Sequence, residues 1–195
     1  MTTEVNQAAK ASLAHFIIDP KASRFTVQAF ASGLLSAMGH NPRIGIRTFS
    51  GEVDFNQETV EGGAFRLTVQ SASLAVQDDI SDKDRREIER LMKEDVLEVA
   101  KFPDIRYEAA TIVVSRVDGS LYSATLNGNL SLHGVTRGQP ITIRIAAFGE
   151  LLRTSGDFML RQSDYQIKPV SVAGGALKLK DEVKFSFEIV ARKQE

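Results

Sequence analysis

Apolar and polar residues alternate along most of the chain. The clearest runs lie at residues 25–29, 65–69, 141–145 and 183–189, where every second residue is apolar. A period of two gives a strand one apolar and one polar face, and such strands are typical of antiparallel sheets with water on one side. The clearest hairpin is residues 113–126, where an Asp-Gly pair separates two runs. The whole pattern predicts about eight antiparallel strands.

One segment departs from this alternation. Between residues 80 and 99 the apolar side chains are spaced as on one face of a helix. Ser81 followed by Asp84 is similar to a capping box, the usual sequence signal for a helix start. Phe102-Pro103 provides a stop, because proline does not continue a helix. We therefore predict one inserted helix near residues 81–100.

One-sided strands need a shared core, which either two packed sheets or one closed sheet can supply. The apolar face mixes large residues with small ones such as Ala29, Gly51, Ala124 and Gly128. Small inward residues favour a barrel with a cavity, although bulky side chains from the helix could fill that space instead. The predicted fold class is all-β: an antiparallel, lipocalin-like barrel in a single domain at residues 16–195, after a flexible segment at 1–15.

Composition narrows the function further. The chain has 195 residues, no cysteine and a formal net charge of −1. The charge balance argues against nucleic-acid binding, and the lack of cysteine excludes disulfides and thiolate metal sites. No apolar run reaches the roughly 18–20 residues of a membrane-spanning helix, so stable membrane insertion is not expected. The first residues do not have the pattern of a signal peptide, so a cytoplasmic location is expected, or a periplasmic one if a leader was removed.

Polar side chains give few candidates for chemistry. None of the three histidines, His15, His40 and His133, has a second histidine within one helical turn, so no metal site is predicted. His40 either bonds the backbone at a bend or anchors a ligand at a cavity mouth. Arg161 either pairs with Asp164 or meets a ligand head group. No nucleophile motif or phosphate loop is present, so no catalytic residue and no cofactor are predicted.

The order of four sequence motifs is similar to that of a known family. They are DPKASRFTV at residues 19–27, FSGEVDF at 49–55, VAKFPDIRY at 99–107 and GNLSLHGVTR at 128–137. Together they resemble the YceI-like family of lipid- or polyisoprenoid-binding proteins, and the last two motifs are the most specific. The resemblance covers residues 16–191 and implies an extended lipocalin-like barrel with an apolar pocket.

The resemblance implies a protein that carries or stores one long apolar lipid: a polyisoprenoid, an isoprenoid quinone or a fatty-acyl amphiphile. His40 and Arg161 are the candidates for contact with the lipid head group. This chain lacks a histidine of the family in its first strand and another before the helix, so the head-group contacts of the family do not transfer directly. The predicted cavity lining is Phe25, Val27, Phe65, Leu67, Ile88, Leu91, Met92, Leu126, Leu130, Phe158, Phe185 and Phe187.

Two other functions remain open from the residues. One is a non-catalytic interaction or stress-response module, which predicts a filled core. The other is an enzyme that acts on such lipids, which would need a converging nucleophile or acid–base set that the sequence does not display. A homodimer is a possible assembly, since exposed strand edges often find partners.

Overall fold

A computed structural model describes residues 13–32, 41–56, 63–172 and 177–194. Within these ranges the protein is mostly β-strand, with one α-helix, α1, at Asp82–Leu91. The strands are β1 Leu13–Ile18, β2 Arg24–Ser32, β3 Arg43–Ile46, β4 Phe49–Asn56, β5 Gly63–Gln70, β6 Leu74–Val76, β7 Asp104–Asp118, β8 Leu121–Leu132, β9 Val135–Gly138, β10 Ile141–Phe148, β11 Leu151–Arg161, β12 Ser171–Val172 and β13 Leu177–Lys193.

Eight of these strands form a closed antiparallel barrel. Their order is β1-β4-β5-β7-β8-β10-β11-β13, and β13 returns to β1. The closing seam pairs Phe16 with Lys193 and Ile18 with Ala191. The prediction of an all-β antiparallel barrel of about eight strands is therefore confirmed.

Three strands extend the sheet beyond the barrel. β2 pairs with β13 further along the same edge that β1 uses, and β3 and β6 follow in the order β13-β2-β3-β6. The break between β5 and β6 is a 3-10 turn at Ser71–Ser73, and Ser73 Oγ accepts the Thr48 amide at 3.0 Å. The chain therefore breaks between β1 and β2, between β3 and β4, and between β5 and β6, and these three breaks lie at the same end of the barrel. We call this end of the barrel the base.

The first strand begins earlier than the sequence analysis indicates. Residues 13–15, assigned above to a flexible N-terminal segment, form the first half of β1. His15 Nδ1 lies 2.7 Å from Asp54 Oδ1 on β4, and Phe16 is fully buried. β1 therefore includes three residues that the sequence analysis assigned to the flexible segment. The run LAHFII is too short for its alternation to stand out in the sequence.

The predicted helix is present but shorter than expected. Ser81 Oγ accepts the Asp84 amide at 3.1 Å, which confirms the predicted N-terminal cap. After α1 the chain makes a π-helical turn at Met92–Val96. Glu98 then adopts a left-handed conformation with φ of 44°, and this ends the helix before Phe102-Pro103 is reached.

The helix covers the free edge of β6. Glu89 accepts the Val76 amide at 3.0 Å, and Arg85 donates to the carbonyl oxygens of Val76 at 2.7 Å and Asp78 at 2.9 Å. Glu89 and Arg85 are four residues apart, so they lie on the same face of the helix. The amide and carbonyl of Val76, which would otherwise leave this end of β6 open to another strand, are therefore bonded to side chains of α1.

An apolar core closes the base. Leu132, Leu160, Tyr165 and Ile167 are each no more than 5% exposed, and Met92 packs against the same cluster. At the opposite end the β7–β8 hairpin turns at Gly119, where φ is 48°. That hairpin was predicted from its Asp-Gly pair and is confirmed. The barrel thus has a filled base and an opposite end formed by hairpin turns.

Candidate functional site

A cavity of about 270 Å³ lies inside the barrel. Its volume is close to the lower end of the range for small-ligand pockets, roughly 300–1,000 Å³. The wall is almost entirely aliphatic and aromatic. It is formed by Ile18, Phe25, Ile46, Val53, Phe55, Gly63, Phe65, Leu67, Val69, Ile105, Tyr107, Ile112, Val114, Tyr122, Leu126, Leu130, Leu132, Ile141, Ile143, Ile145, Ala147, Gly149, Leu152, Thr154, Phe158, Phe185, Phe187, Ile189 and Ala191.

Most of the residues expected to line the cavity lie on its wall. β8 contributes two leucines, while β11 and β13 contribute phenylalanines, and Phe158 stacks on Phe185 with ring centroids 5.1 Å apart. Whether these side chains contact a ligand stays a prediction. The eight residues in this position are Phe25, Phe65, Leu67, Leu126, Leu130, Phe158, Phe185 and Phe187.

Four residues of the predicted lining lie elsewhere. Val27 is buried in the core at the base, since β2 runs past the closed part of the barrel there. Ile88 is 36% exposed on the helix, and Leu91 is half-buried on the same helix. Met92 packs against the core cluster but does not reach the cavity. The prediction for these four is corrected. For Ile88, Leu91 and Met92 the reason is that the helical segment packs on the edge of β6 at the base and not over the opposite end of the barrel.

The cavity extends to the end opposite the base, where the hairpins lie. At this end the wall residues Val114, Tyr122, Ile145 and Thr154 are partly exposed, whereas Leu126, Leu130 and Ile141, nearer the base, are buried. Ile46 and Ile105 at the base are partly exposed as well. The wall also reaches Gly149 in the β10–β11 turn. We call this end, between the β7–β8 and β10–β11 hairpins, the mouth.

Three hydroxyl-bearing side chains are the polar groups of the described wall. Tyr107 donates its hydroxyl to the carbonyl oxygens of Leu126 at 3.0 Å and Gln139 at 2.9 Å, so it is already used by the backbone. Burial raises the pKa of Tyr107 to about 12. Tyr122 and Thr154 lie at the mouth in one cross-strand row, each opposite Ile145. Neither was predicted as a site residue, because alternation reveals which face a residue occupies but not its depth in the barrel.

Neither predicted head-group residue lies on the described cavity wall. His40 falls at residues 33–40, outside the described ranges. Arg161 is 66% exposed on the outer face of β11, and its Nε lies 3.8 Å from Asp181 Oδ2. Its expected partner Asp164 instead pairs with Arg137 at 3.6 Å. The head-group assignment for Arg161 is therefore corrected, because the pleat directs this residue away from the cavity.

His133 and its motif form a structural turn at the base. His133 and Gly134 have φ of 51° and 75° and connect β8 to β9 as a two-residue hairpin of type I′ character. The His133 ring lies 2.8 Å from Glu98 Oε2, 3.2 Å from the Tyr165 carbonyl oxygen and 4.4 Å from the Phe102 ring centre. The motif therefore joins the helix end to the barrel base, away from the cavity.

The described residues provide no metal-binding cluster and no charged group on the cavity wall. No set of three histidine, cysteine, aspartate or glutamate side chains converges in residues 13–32, 41–56, 63–172 and 177–194. In the same ranges, no helix has the length and apolar character needed to cross a bilayer. The arrangement can exclude water from one apolar molecule and offer two hydroxyls at the mouth.

Comparison with known proteins places this barrel in a family. The family model for the YceI-like domain matches residues 16–191, nearly the whole chain. The chain belongs to the YceI-like family. The resemblance drawn from the four sequence motifs is thereby confirmed. Among curated proteins there is no significant match to this YceI-like chain.

Solved structures share the fold of this YceI-like protein at low sequence identity. BcnA from Burkholderia cenocepacia is 18% identical with a TM-score of 0.67, and the match covers 89% of this chain and 98% of BcnA. A polyisoprenoid-binding domain from Saccharophagus degradans is 12% identical with a TM-score of 0.67, over 92% and 98% of the two chains. The YCEI protein of Campylobacter jejuni is 16% identical with a TM-score of 0.56, over 80% and 88%.

Proposed function

We propose that this protein reversibly binds one long apolar lipid in the barrel and carries or stores it without chemical change. The observation that supports this most strongly is the cavity of about 270 Å³ with an aliphatic and aromatic wall. The Saccharophagus degradans domain, which has the same fold, is described as polyisoprenoid-binding. A filled-core interaction module would not need such a cavity.

Burial of an alkyl or isoprenoid chain is sufficient for useful affinity. Each buried methylene contributes about 0.8 kcal/mol, so roughly ten contribute about 8 kcal/mol, equivalent to a micromolar Kd before ordering costs. No charged group is needed for this gain. The tail would lie against the phenylalanines of β11 and β13, deep in the barrel.

The mouth favours a head group without charge inside the barrel. Tyr122 and Thr154 can donate or accept hydrogen bonds there, while no lysine, arginine or histidine of the described chain lines the wall. A carboxylate or phosphate moved into this wall would lose its hydration without an opposite charge, which is strongly unfavourable. We therefore propose that a carbonyl or hydroxyl head group fits within the mouth, and that an ionised head group stays outside it.

The test is to identify what the protein holds and to block the cavity selectively. Protein purified without detergent is analysed by native mass spectrometry, then extracted with organic solvent, and the extract is identified. Ala147 lies on the cavity wall, while its neighbour Ala146 faces away from the cavity on the same strand. Ala147→Phe should fill the mouth, and Ala146→Phe is the matched control.

A stoichiometric lipid that is present in the wild-type protein and in Ala146→Phe, but reduced at least tenfold in Ala147→Phe, is the expected result. A bare polypeptide mass together with no uptake of added prenol, quinone or fatty alcohol would contradict the carrier function. Equal loading of both variants would place the lipid outside this cavity.

A further inference from the structure

An apolar patch surrounds the turns at the mouth. Val117, Leu121 and Phe148 are 67%, 49% and 55% exposed, and Val113 on the outer face of β7 is 54% exposed. We call these four residues the rim patch. Water-exposed large apolar groups that cluster on adjacent hairpins are unusual on a monomeric protein and mark an interaction surface.

The rim patch is continuous with the cavity entrance. Phe148 precedes Gly149, which lies on the cavity wall, and Leu121 follows the β7–β8 turn and pairs with Ala146. The Ala147 amide donates to the Ser120 carbonyl oxygen at 3.0 Å, so the two hairpins are joined side by side. Whatever covers the rim patch therefore also faces the opening of the cavity.

Arginine and lysine residues lie on the same strands and turns as this patch. Arg116 lies opposite Tyr122 on the neighbouring strand, Arg144 and Arg153 lie on the outer faces of β10 and β11, and the Lys193 amide bonds to the β10–β11 turn. Within the described residues none of these four has an ion-pair partner. Two carboxylates, Asp118 and Glu150, belong to the same turns, and Asp157 and Glu188 line an outer groove together with Arg144. Arg116, Arg153 and Lys193 therefore leave a small excess of positive charge among the described residues around these turns.

We propose that the rim patch docks the protein on an anionic lipid bilayer, so that the mouth faces the membrane from which the ligand enters. This inference rests on the proposed function, because an apolar ligand of this length resides in a bilayer and not in water. Exposed apolar side chains insert at the boundary between head groups and acyl chains, and nearby arginines pair with anionic head groups.

A second copy of the chain fits the patch less well. A two-fold symmetric contact applies the same surface to itself, which would bring two rims with the same small positive excess together. An anionic bilayer instead complements both the apolar groups and the cations. It also leaves the cavity connected to its ligand source, whereas a dimer through the mouth would seal it.

The experiment measures co-sedimentation with large unilamellar vesicles made of phosphatidylcholine and phosphatidylglycerol at a ratio of 3:1. The test variant is Phe148→Ser combined with Leu121→Ser. The matched control is Met159→Ser, since Met159 is 48% exposed on β11 but lies toward the base. The partition coefficient should fall about tenfold or more in the test variant and stay unchanged in the control.

Phosphatidylcholine vesicles alone should bind the wild-type protein more weakly than the anionic vesicles. The docking proposal is overturned if the wild-type protein does not sediment with anionic vesicles, or if the double variant sediments within twofold of it. It is also overturned if sedimentation velocity without vesicles finds a wild-type dimer that the double variant loses, because the patch would then be a self-association surface.

A probe in free solution separates docking from ligand binding. A geranyl chain carrying a fluorescent nitrobenzoxadiazole group, used below its aggregation concentration, should bind the wild-type protein and the double variant equally. Equal binding also verifies that the double variant is folded. Failure of the probe to bind the wild-type protein would contradict the proposed function, whereas docking is judged from sedimentation alone.

Discussion

Gly134 occupies a position in the β8–β9 turn that other residues cannot fill easily. Its φ is 75°, in the left-handed region, and an added Cβ would lie 2.6 Å from Phe102 Cε1. The ring of Phe102 cannot retreat freely because it contacts His133. The turn therefore requires glycine for two independent reasons, conformation and space.

We predict that Gly134→Ala lowers the free energy of unfolding by about 2 kcal/mol or more, from left-handed strain and the forced shift of Phe102. Urea denaturation measures the change. Gly138→Ala is the matched control, because its Cβ would meet nothing closer than Asn129 Oδ1 at 3.9 Å. Its effect should stay within about 0.5 kcal/mol. Similar losses in both variants would show that the turn tolerates a side chain.

Tyr107 makes the free energy of unfolding depend on pH in the alkaline range. Burial raises its pKa from 10.0 to about 12. Between these values the unfolded chain releases the phenolic proton while the folded protein keeps it, so stability falls as pH rises through this window. Below pH 10 this contribution to stability is fully present.

The expected measurement is urea denaturation at pH 8 and pH 11 for the wild-type protein and for Tyr107→Phe. The wild-type protein should lose roughly 1.4 kcal/mol more between these two pH values than the variant does, since the variant lacks the titrating phenol. Comparing the two proteins cancels the contribution that the lysines and the other tyrosines make to the pH dependence of stability. An identical pH dependence would mean that Tyr107 ionises normally.

The edge of β6 is protected by side chains instead of by another strand. Glu89 accepts the Val76 amide from the helix, so we predict that Glu89→Ala accelerates hydrogen exchange at Val76 at least tenfold. The unfolding free energy should fall by about 1 kcal/mol. Glu87→Ala is the control, because the Glu87 carboxylate pairs with Arg90 on the same helix. Unchanged exchange at Val76 in Glu89→Ala would indicate that the edge has another cover.

Strands were predictable where alternation persists and not where the strand is short. β7, β8 and β13 are 15, 12 and 17 residues long and carry repeated inward apolar positions, so their pattern is unambiguous. β6 has only three residues, all buried, and no alternation can exist in such a strand. The predicted helix end was wrong because Glu98 ends the helical segment by adopting a left-handed backbone conformation. Glycine or asparagine is the usual sequence signal for that conformation, and glutamate is not.

The candidate site was predictable in part for a similar reason. Residue type and period identify the inward face, which is why phenylalanines such as Phe158 and Phe185 were assigned to the cavity wall. The position of a residue along the barrel axis depends on strand register and on where the sheet leaves the barrel. Val27 and Tyr122 illustrate this: both face inward, but one is sealed in the base and the other stands at the mouth.

At the scale of the whole molecule, the two ends of the barrel have different roles. Packed side chains and an edge-covering helix stabilise the base, so the barrel does not need a filled interior along its full length. The wall near the mouth can then remain partly open without loss of the fold. This division accounts for both a buried core and a cavity within one barrel.

The seam between β1 and β13 has a consequence for biosynthesis. Arg192 Nε donates to Asp19, 173 residues earlier in the sequence, and the strands on either side of this contact close the barrel. During translation, β1 therefore has no β13 to pair with until nearly the whole described chain has left the ribosome. The nascent sheet keeps open edges throughout that interval, and unpaired strand edges favour aggregation. The cavity wall is complete only after β13 has paired, so the proposed lipid is expected to enter after that pairing.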